Sequence, residues 1–238
     1  MIQSVKFAIP VDHDGEPWLE KQKEIAAGYV TLEQTKETVV EQIANLSQVS
    51  VVPNCDEYAI EYLPLSELFD TIKGKSKYTK KYGNLHSGPY PVYSASSQGT
   101  LTHLDTYDYD GRYMTWSTNG FAGTILILDG KFSINGDRGI LVPKNGRQDL
   151  DFDYMKFTLE PIFRELAKGR KGDNGEDEFT KLYPSMLSDI MVPIPVDGKG
   201  NISLLLQKEI AQKFISVQNS QKEIIEKLDA LISKKISM

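Results

Sequence analysis

Three aspartates within six residues, Asp105, Asp108 and Asp110 in LDTYDYDG, could hold a cation or work as a carboxylate pair. The segment lacks the terminal bidentate glutamate of a calcium loop, so it reads instead as an edge loop. Gly120, Gly123 and the stretch GRKGDNG look superficially like phosphate-cradling loops. Neither has the full strand, G-x-G-x-x-G and helix context, and both read as turns. His13, His86 and His103 are scattered and form no triad with a nucleophile. Phosphate-loop spacing, zinc motif and nucleophile elbow are all absent from the sequence. No catalytic residue, metal ligand set or cofactor is therefore assigned. Cys55 is the single cysteine, unable to close an intrachain disulfide, and reads as a small hydrophobe in a reducing compartment. No apolar stretch approaches the roughly 20 residues of a membrane helix, and MIQSVKFAIPVDHDGEPW has no signal-peptide core. The expectation is a cytoplasmic protein with no membrane partner.

What remains is electrostatic. A net charge of −6 and a pI near 5.2 argue mildly against a polyanionic partner. The distribution argues otherwise: KGKSKYTKK, Lys73 to Lys81, carries five lysines and no acid, and AKGRKG adds Lys168, Arg170 and Lys171. Acidic residues crowd instead into 12–61 and 149–160. A solvated surface is the plain alternative for such runs.

The elements that would position these charges are exposed by an internal repeat. IPVDHDGEPWLEKQKEIA, starting at Ile9, aligns without a gap on IPVDGKGNISLLLQKEIA, starting at Ile194. The offset is 185 residues, with Gln22 facing Gln207, and identities at Ile9, Pro10, Val11, Asp12, Gly15, Leu19, Lys23, Glu24, Ile25 and Ala26. Beyond Ala26 the match relaxes to similar chemistry, as in Tyr29 with Phe214 and Val39 with Ile224. Each copy reads as a short strand or turn followed by a long helix. Ile25, Tyr29, Leu32, Val39, Ile43 and Leu46 step by fours and threes along the first helix, interrupted at Lys36. Ile210, Phe214, Val217, Ile224, Leu228 and Leu231 do so along the second, interrupted at Gln221. These stripes are expected to face each other as a coiled coil, and periodicity alone does not choose parallel from antiparallel. Two unrelated amphipathic helices on a globular core are the alternative.

Between the helices the period changes. TWSTNG, FAGTILILDGKFSING and GILVPKNGR read as strands, with turns at Asp129-Gly130, Asn135-Gly136, Asn145-Gly146 and Asn119-Gly120. A helix is expected over 153–168, with Tyr154, Phe157, Ile162 and Leu166 on one side and a kink or break at Pro161. GNLHSGP, Gly83 to Pro89, has little to anchor it and reads as a mobile loop. The fold class is α+β: one β-rich domain at 51–187 flanked by two long helices at 19–50 and 204–238, with short strand–turn segments at 1–18 and 188–203.

The runs PYPVYSASSQGTL, RYMTWSTNGFAGTILI, KFSINGDRGILVP and EFTKLYPSMLSDIMVPIPV, in that order and leading into QKEIA, resemble the DNA-specificity subunit of type I restriction-modification systems. The resemblance covers nearly the whole chain and implies a non-catalytic, sequence-specific DNA-binding subunit. It implies that the β-rich lobe is a target-recognition domain reading one half of a split site, and that the helices pack antiparallel as a spacer. The implied partners are double-stranded DNA, methyltransferase subunits and, through them, the restriction subunit. Subunits of this family usually carry two recognition domains, whereas this sequence opens at VKFAIPV, the tail of a preceding one, and holds only helix, domain and helix. That departure fits a half-subunit that forms a homodimer, a truncation, or part of a fused protein.

On this resemblance the lobe enters the major groove. Polar residues on Gly-rich loops become candidate base contacts: Ser94, Ser96, Ser97, Gln98, Ser117, Thr118, Asn119 and Arg138. Ordinary turn chemistry is their alternative role. Lys73, Lys75, Lys77, Lys80, Lys81, Lys168, Arg170 and Lys171 become candidate phosphate contacts. Lys23, Glu24, Glu33, Glu37, Glu41, Lys208, Glu209, Glu223 and Glu226 form helix faces suited to docking a methyltransferase, or simply solvated flanks. A rival reading is a coiled-coil adaptor without DNA, whose β-rich lobe binds a protein or carbohydrate.

Overall fold

The computed structural model describes residues 8–48, 58–171 and 177–232. Cys55 lies outside the described residues. The chain divides into two compact units, residues 1–51 with 216–238, and residues 52–215. Helices α1 (Leu19–Gln48) and α5 (Leu204–Ile232) bracket a mixed lobe. In order the lobe comprises β1 (Ile60–Pro64), α2 (Leu65–Leu68), β2 (Phe69–Lys73), α3 (Lys80–Leu85), β3 (Tyr90–Tyr93), β4 (Thr102–Leu104) and β5 (Tyr109–Asp110). It continues with β6 (Tyr113–Ser117), β7 (Asn119–Gly120), β8 (Ile125–Leu128), β9 (Lys131–Ile134) and β10 (Arg138–Pro143). It ends with α4 (Phe152–Leu166), β11 (Lys168–Lys171), β12 (Asp177–Lys181) and β13 (Met191–Pro195). The α+β class expected from the sequence is the one observed. Among the described residues, no helix is long and apolar enough to cross a membrane.

The repeat is a structural repeat. Asp12 N–H bonds Glu16 O at 2.8 Å, and Asp197 N–H bonds Asn201 O at 2.8 Å. Trp18 N–H reaches Pro10 O at 2.9 Å, as Ser203 N–H reaches Pro195 O at 2.9 Å. Gly15 and Gly200 adopt φ of 85° and 80°, a left-handed conformation that glycine reaches without Cβ strain. Asp12 Oδ1 accepts from the N–H groups of Asp14 and Glu16, and Asp197 Oδ1 from those of Lys199 and Asn201. The Asn201 and Lys199 amides hold the Asp197 carboxyl below its ordinary range. Each turn therefore launches its helix at the same residue of the repeat.

In the second copy the launched helix is docked on the lobe. Gln207 is fully buried; its Nε2 donates to Asp149 O at 2.9 Å and its Oε1 accepts from Asp151 N at 2.9 Å. Ile210, Ala211 and Phe214 are buried beside it, and Phe214 stacks on Phe157 with ring centroids 5.2 Å apart. Gln207→Leu keeps the volume but strands one buried N–H and one carbonyl, each costing about 1–3 kcal/mol. We expect a loss of roughly 2–4 kcal/mol in urea unfolding of the full chain; an unchanged midpoint would show that water replaces the amide.

Ile210 and Phe214, expected in the helix seam, thus serve the lobe instead. Val217 and Ile224 are 49% and 48% exposed, and the half-buried stripe on that part of α5 runs through Gln221, Ile225, Leu228 and Ile232. Two stripes one residue apart share positions 221 and 228, and periodicity cannot separate them. On α1 the half-buried positions are Lys21, Gln22, Ile25, Leu32, Lys36, Val39 and Ile43, while Tyr29 is 45% exposed. The side chains of Leu46 and Leu231 lie outside the described residues.

The lobe is closed by β1 and β13, antiparallel from Ile60–Pro195 to Pro64–Met191. Residues 188–203, read as a lead-in to the helix, thus contribute a strand to the lobe. A four-stranded antiparallel sheet in the order β2-β10-β6-β8 carries the core, and β4-β3-β9-β5 flanks it with β3 and β9 parallel. Trp116 is fully buried, donates from Nε1 to Leu182 O at 3.0 Å, and meets Phe163 edge-on. Gly139 opposite makes room for it: a Cβ there would lie 2.3 Å from the indole.

Helix α4 starts at the Asp151 cap, whose Oδ1 accepts from Tyr154 N at 2.9 Å, and runs unbroken through Pro161. Its buried face is Tyr154, Met155, Thr158, Leu159 and Phe163, not the side centred on Phe157, Ile162 and Leu166. Apolar anchors on both sides of Pro161 hold the two halves in line despite the lost N–H donor. Asn119-Gly120, expected as a turn, pairs as β7 with β12.

Candidate nucleic-acid interface

Three sequence-distant segments meet at one turn, Asn135 to Arg138, between β9 and β10. Asn135 Oδ1 accepts from Asp137 N at 3.0 Å and closes the turn. Gly74 N–H donates to Arg138 O at 2.9 Å and Lys75 N–H to Ile134 O at 3.1 Å, which moors the lysine-rich loop. Gly74 is required by closeness, since a Cβ would lie 2.1 Å from Asn135 O. Thr118 N–H donates to Asp137 O at 2.9 Å, and Asn119 Nδ2 donates to Asp137 Oδ1 at 2.5 Å. Asn135 N–H donates to Tyr93 O at 2.9 Å, and from there the chain enters the 94–98 loop.

Arg138 locks that loop. Its side chain is fully buried; Nε donates to Ser94 O at 2.5 Å, Nη2 to Ala95 O at 3.3 Å and Ser96 O at 3.0 Å, and Nη1 to Thr115 Oγ1 at 3.1 Å. Burial pushes the guanidinium down to about 10, still charged at neutral pH. Arg138 is thus corrected from a base contact to the residue that shapes the loop. Ser117 and Thr118 are also buried: Ser117 Oγ donates to Phe121 O and Thr118 Oγ1 to Gly136 O. Their hydroxyls do turn work and point inward. Asn119 and Ser94 are half-buried, whereas Ser96, Ser97 and Gln98 are exposed at the loop tip. Ser96 Oγ both donates to Gln98 O and accepts from Gln98 N, stiffening the tip.

The lysines differ in availability. Lys75 is ion-paired with Asp108, which also accepts from Tyr78 Oη at 3.0 Å; the Asp108 hydrogen bond raises the Lys75 ammonium above its ordinary value. Its charge is engaged by Asp108 although the Lys75 side chain is 53% exposed. Lys73 sits over the Tyr183 ring at 5.0 Å, and Lys77 over Tyr78 and Tyr82 at 5.4 and 5.5 Å. These aromatic contacts steady the ammonium groups while leaving the side chains exposed. Lys80 and Lys81 are exposed in the first turn of α3, where the helix dipole disfavours cations, so they do not serve the helix.

The segment 83–89 is anchored rather than mobile. Gly83 is buried against Thr102, Asp105 N–H reaches His86 O at 2.9 Å, and His86 stacks on Tyr82 at 4.2 Å. Lys168 and Arg170 are exposed on β11; the side chain of Lys171 lies outside the described residues. Sequence reasoning missed Lys181, which pairs with both Lys168 and Asn119, because its cation stands alone in EFTKLYP and only the β12 ladder brings it to the others. It also missed Asp137, visible in sequence only as a turn residue.

On the helices, Glu24, Glu33, Glu209, Glu223 and Glu226 are paired with Lys21, Lys36, Lys213, Lys227 and Lys222 along their own helix. Asp12, His13 and Asp14 bring ligand atoms within 4.8 Å of one another, but Asp12 Oδ1 is already taken by the turn amides.

The sequence matches the profile of the type I restriction modification DNA specificity domain over residues 59–235. The chain belongs to this family. This specificity domain is 37% identical over 157 residues to the type I restriction enzyme MpnII specificity subunit of Mycoplasma pneumoniae, covering 65% of this chain and 43% of that protein. It is 38% identical over 97 residues to the putative type I specificity subunit S.MpnORF507P of the same organism, covering 40% of this chain and 26% of that one. The specificity domain thus spans less than half the length of these two relatives. Among solved structures, the HsdS subunit from Thermoanaerobacter tengcongensis matches 97% of the chain with a TM-score of 0.55 at 14% identity, over 63% of its own length. A chain from a study of assembly and conformational transition of the type I R-M system matches 98% with a TM-score of 0.56 at 16% identity, over 63% of its own length. These likenesses carry the fold of a lobe between long helices.

Proposed function

We propose that this chain is a non-catalytic, sequence-reading part of a type I restriction-modification complex, whose lobe binds one half of a split duplex target and directs partner methyltransferase and restriction subunits to it. The observation that carries the reading is the convergence at the 135–138 turn: it holds the exposed tip Ser96–Gln98, the Asn119 side chain and the lysine loop 73–81 on one scaffold. In this reading the 96–98 tip and Asn119 face base edges, and Lys73, Lys77, Lys80, Lys81, Lys168 and Arg170 hold phosphates. The domain partition follows the same logic, with the lobe as reader and the helices as spacer. At about 1.5 Å per residue, α1 with its 30 residues spans about 45 Å, of the order of one DNA turn.

The assembly reading is a two-lobed particle formed with a second copy, the helices packed antiparallel. Gln207, Ile210, Ala211 and Phe214 are buried against their own lobe, whereas the matching Gln22, Ile25, Ala26 and Tyr29 are half-buried or exposed. The repeat thereby supports a second docking face for a lobe of the same kind.

Purified chain should bind duplex DNA with an affinity that falls steeply with salt, and co-expression with a type I methyltransferase subunit should place modified adenines in a split site. A symmetrical site supports the homodimer. An acidic net charge of −6 favours the rival, a coiled-coil adaptor; no salt-dependent retention on a DNA column would decide for it.

A further inference from the structure

The β7-β12-β11 sheet carries an outward surface that the convergence at the 135–138 turn touches only at Asn119. Its register sets Lys168 opposite Lys181 and Lys181 opposite Asn119, and the next rung on the same face sets Arg170 opposite Phe179. Thr180, on the other face, is fully buried, so the face with Lys168, Arg170, Phe179 and Lys181 points to solvent. Thr180 Oγ1 donates to Gly120 O at 2.8 Å and accepts from Ala122 N at 3.1 Å, pinning Phe121 beside this strand. Phe121 and Phe179 are 61% and 51% exposed, with Lys181 Nζ 5.9 Å from the Phe179 ring. Two lysines directly opposite each other repel, and two exposed phenyl rings waste apolar area; a polyanion with apolar groups between its charges relieves both costs. The rung formed by Lys168, Lys181 and Asn119 carries two cations and no carboxylate, which favours nucleic acid over a protein surface.

We propose that Phe121 and Phe179 contact thymine methyl groups in the major groove, with Lys168, Arg170 and Lys181 on the flanking phosphates. The proposal rests on the reading of the chain as a DNA binder and adds sequence-discriminating residues to it. A phenyl ring can discriminate here because the C5-methyl is the one apolar group that the groove presents.

The test uses the full chain and a pool of duplexes with a randomised centre. The wild-type chain is expected to enrich a motif that contains thymine, and replacing that thymine with deoxyuridine should weaken binding on the order of tenfold. Phe121→Ala with Phe179→Ala should bind the selected duplex on the order of tenfold more weakly, keep the salt slope and no longer distinguish thymine from deoxyuridine. Phe179→Leu, which retains apolar bulk, should keep most of that preference. Lys181→Ala should weaken all duplexes alike and lower the salt slope by about 0.9. If the double alanine variant retains the wild-type affinity and thymine preference, the proposal is overturned while DNA binding stands. If the wild-type chain shows no salt-dependent binding, the DNA reading falls and takes the proposal with it.

Discussion

Arg138→Met is expected to lower the stability of the full chain by roughly 3 kcal/mol or more. Methionine approximates the buried volume but donates nothing, so the carbonyls of Ser94, Ala95 and Ser96 lose the Arg138 donors and the Thr115 hydroxyl keeps only its bond to Leu126 O. Hydrogen bonds from a charged group are worth about 1.5–3 kcal/mol each, and several fail together. Some of that loss is offset, because the wild-type guanidinium is itself desolvated, as its depressed proton affinity shows. Backbone carbonyls cannot be removed by mutation, however, so the 94–96 loop must rise to meet water. Arg138→Lys should restore little, since one ammonium cannot span four acceptors in fork geometry. Urea unfolding followed by tryptophan fluorescence reads the effect; a wild-type midpoint in the methionine variant would mean that the loop is held by something else. Where the chain stays folded, binding to selected duplexes should weaken along with the loop.

Reversing Lys77, Lys80 and Lys81 to glutamate should weaken binding to every duplex by on the order of a hundredfold or more, and flatten the slope of log affinity against log salt by two to three units. Each phosphate contact releases about 0.9 counterions, and these three lysines are exposed and bound to no carboxylate among the described residues. Folding should be unaffected, because Lys80 and Lys81 oppose the α3 dipole and Lys77 contributes only ring contacts. Lys75 is the internal control. Its reversal would set two carboxylates together at Asp108 and should unfold the loop rather than alter the salt slope alone. Filter binding between 50 and 300 mM salt separates the outcomes, and an unchanged slope in the triple variant would remove this lysine loop from the interface.

The architecture was legible because it is written twice. Eleven identical residues at a fixed offset announce two turn-plus-helix units, and the same Asp and Gly positions then build the same turn in each. Short-range chemistry of this kind depends on residues a few positions apart, so the chain order carries it directly. The strands from Tyr113 to Pro143 were legible for the same reason: short apolar runs and Asp-Gly or Asn-Gly punctuation are local signals. The anchoring of 83–89 was hidden, because Gly83 and His86 of α3 and its C-cap are held by Thr102 and Asp105, some twenty residues further along the chain.

The candidate site divides along the same line. Residue type alone marked the lysine loop and the polar tip as surfaces suited to a polyanion. It could not tell that Arg138 turns inward, that Lys75 is taken by Asp108, or that Thr118 closes a turn with Gly136, since each depends on partners 18 or more residues away. Nor could it bring Lys181 to Lys168 and Asn119, which only the pairing of β12 with β11 and β7 does. By itself the sequence determined the family, the repeated helices and the β-rich lobe between them. The tertiary structure alone decided which cations and hydroxyls remain available to a partner, because burial and hydrogen bonding are set by distance in space, and distance in space is not written in residue order.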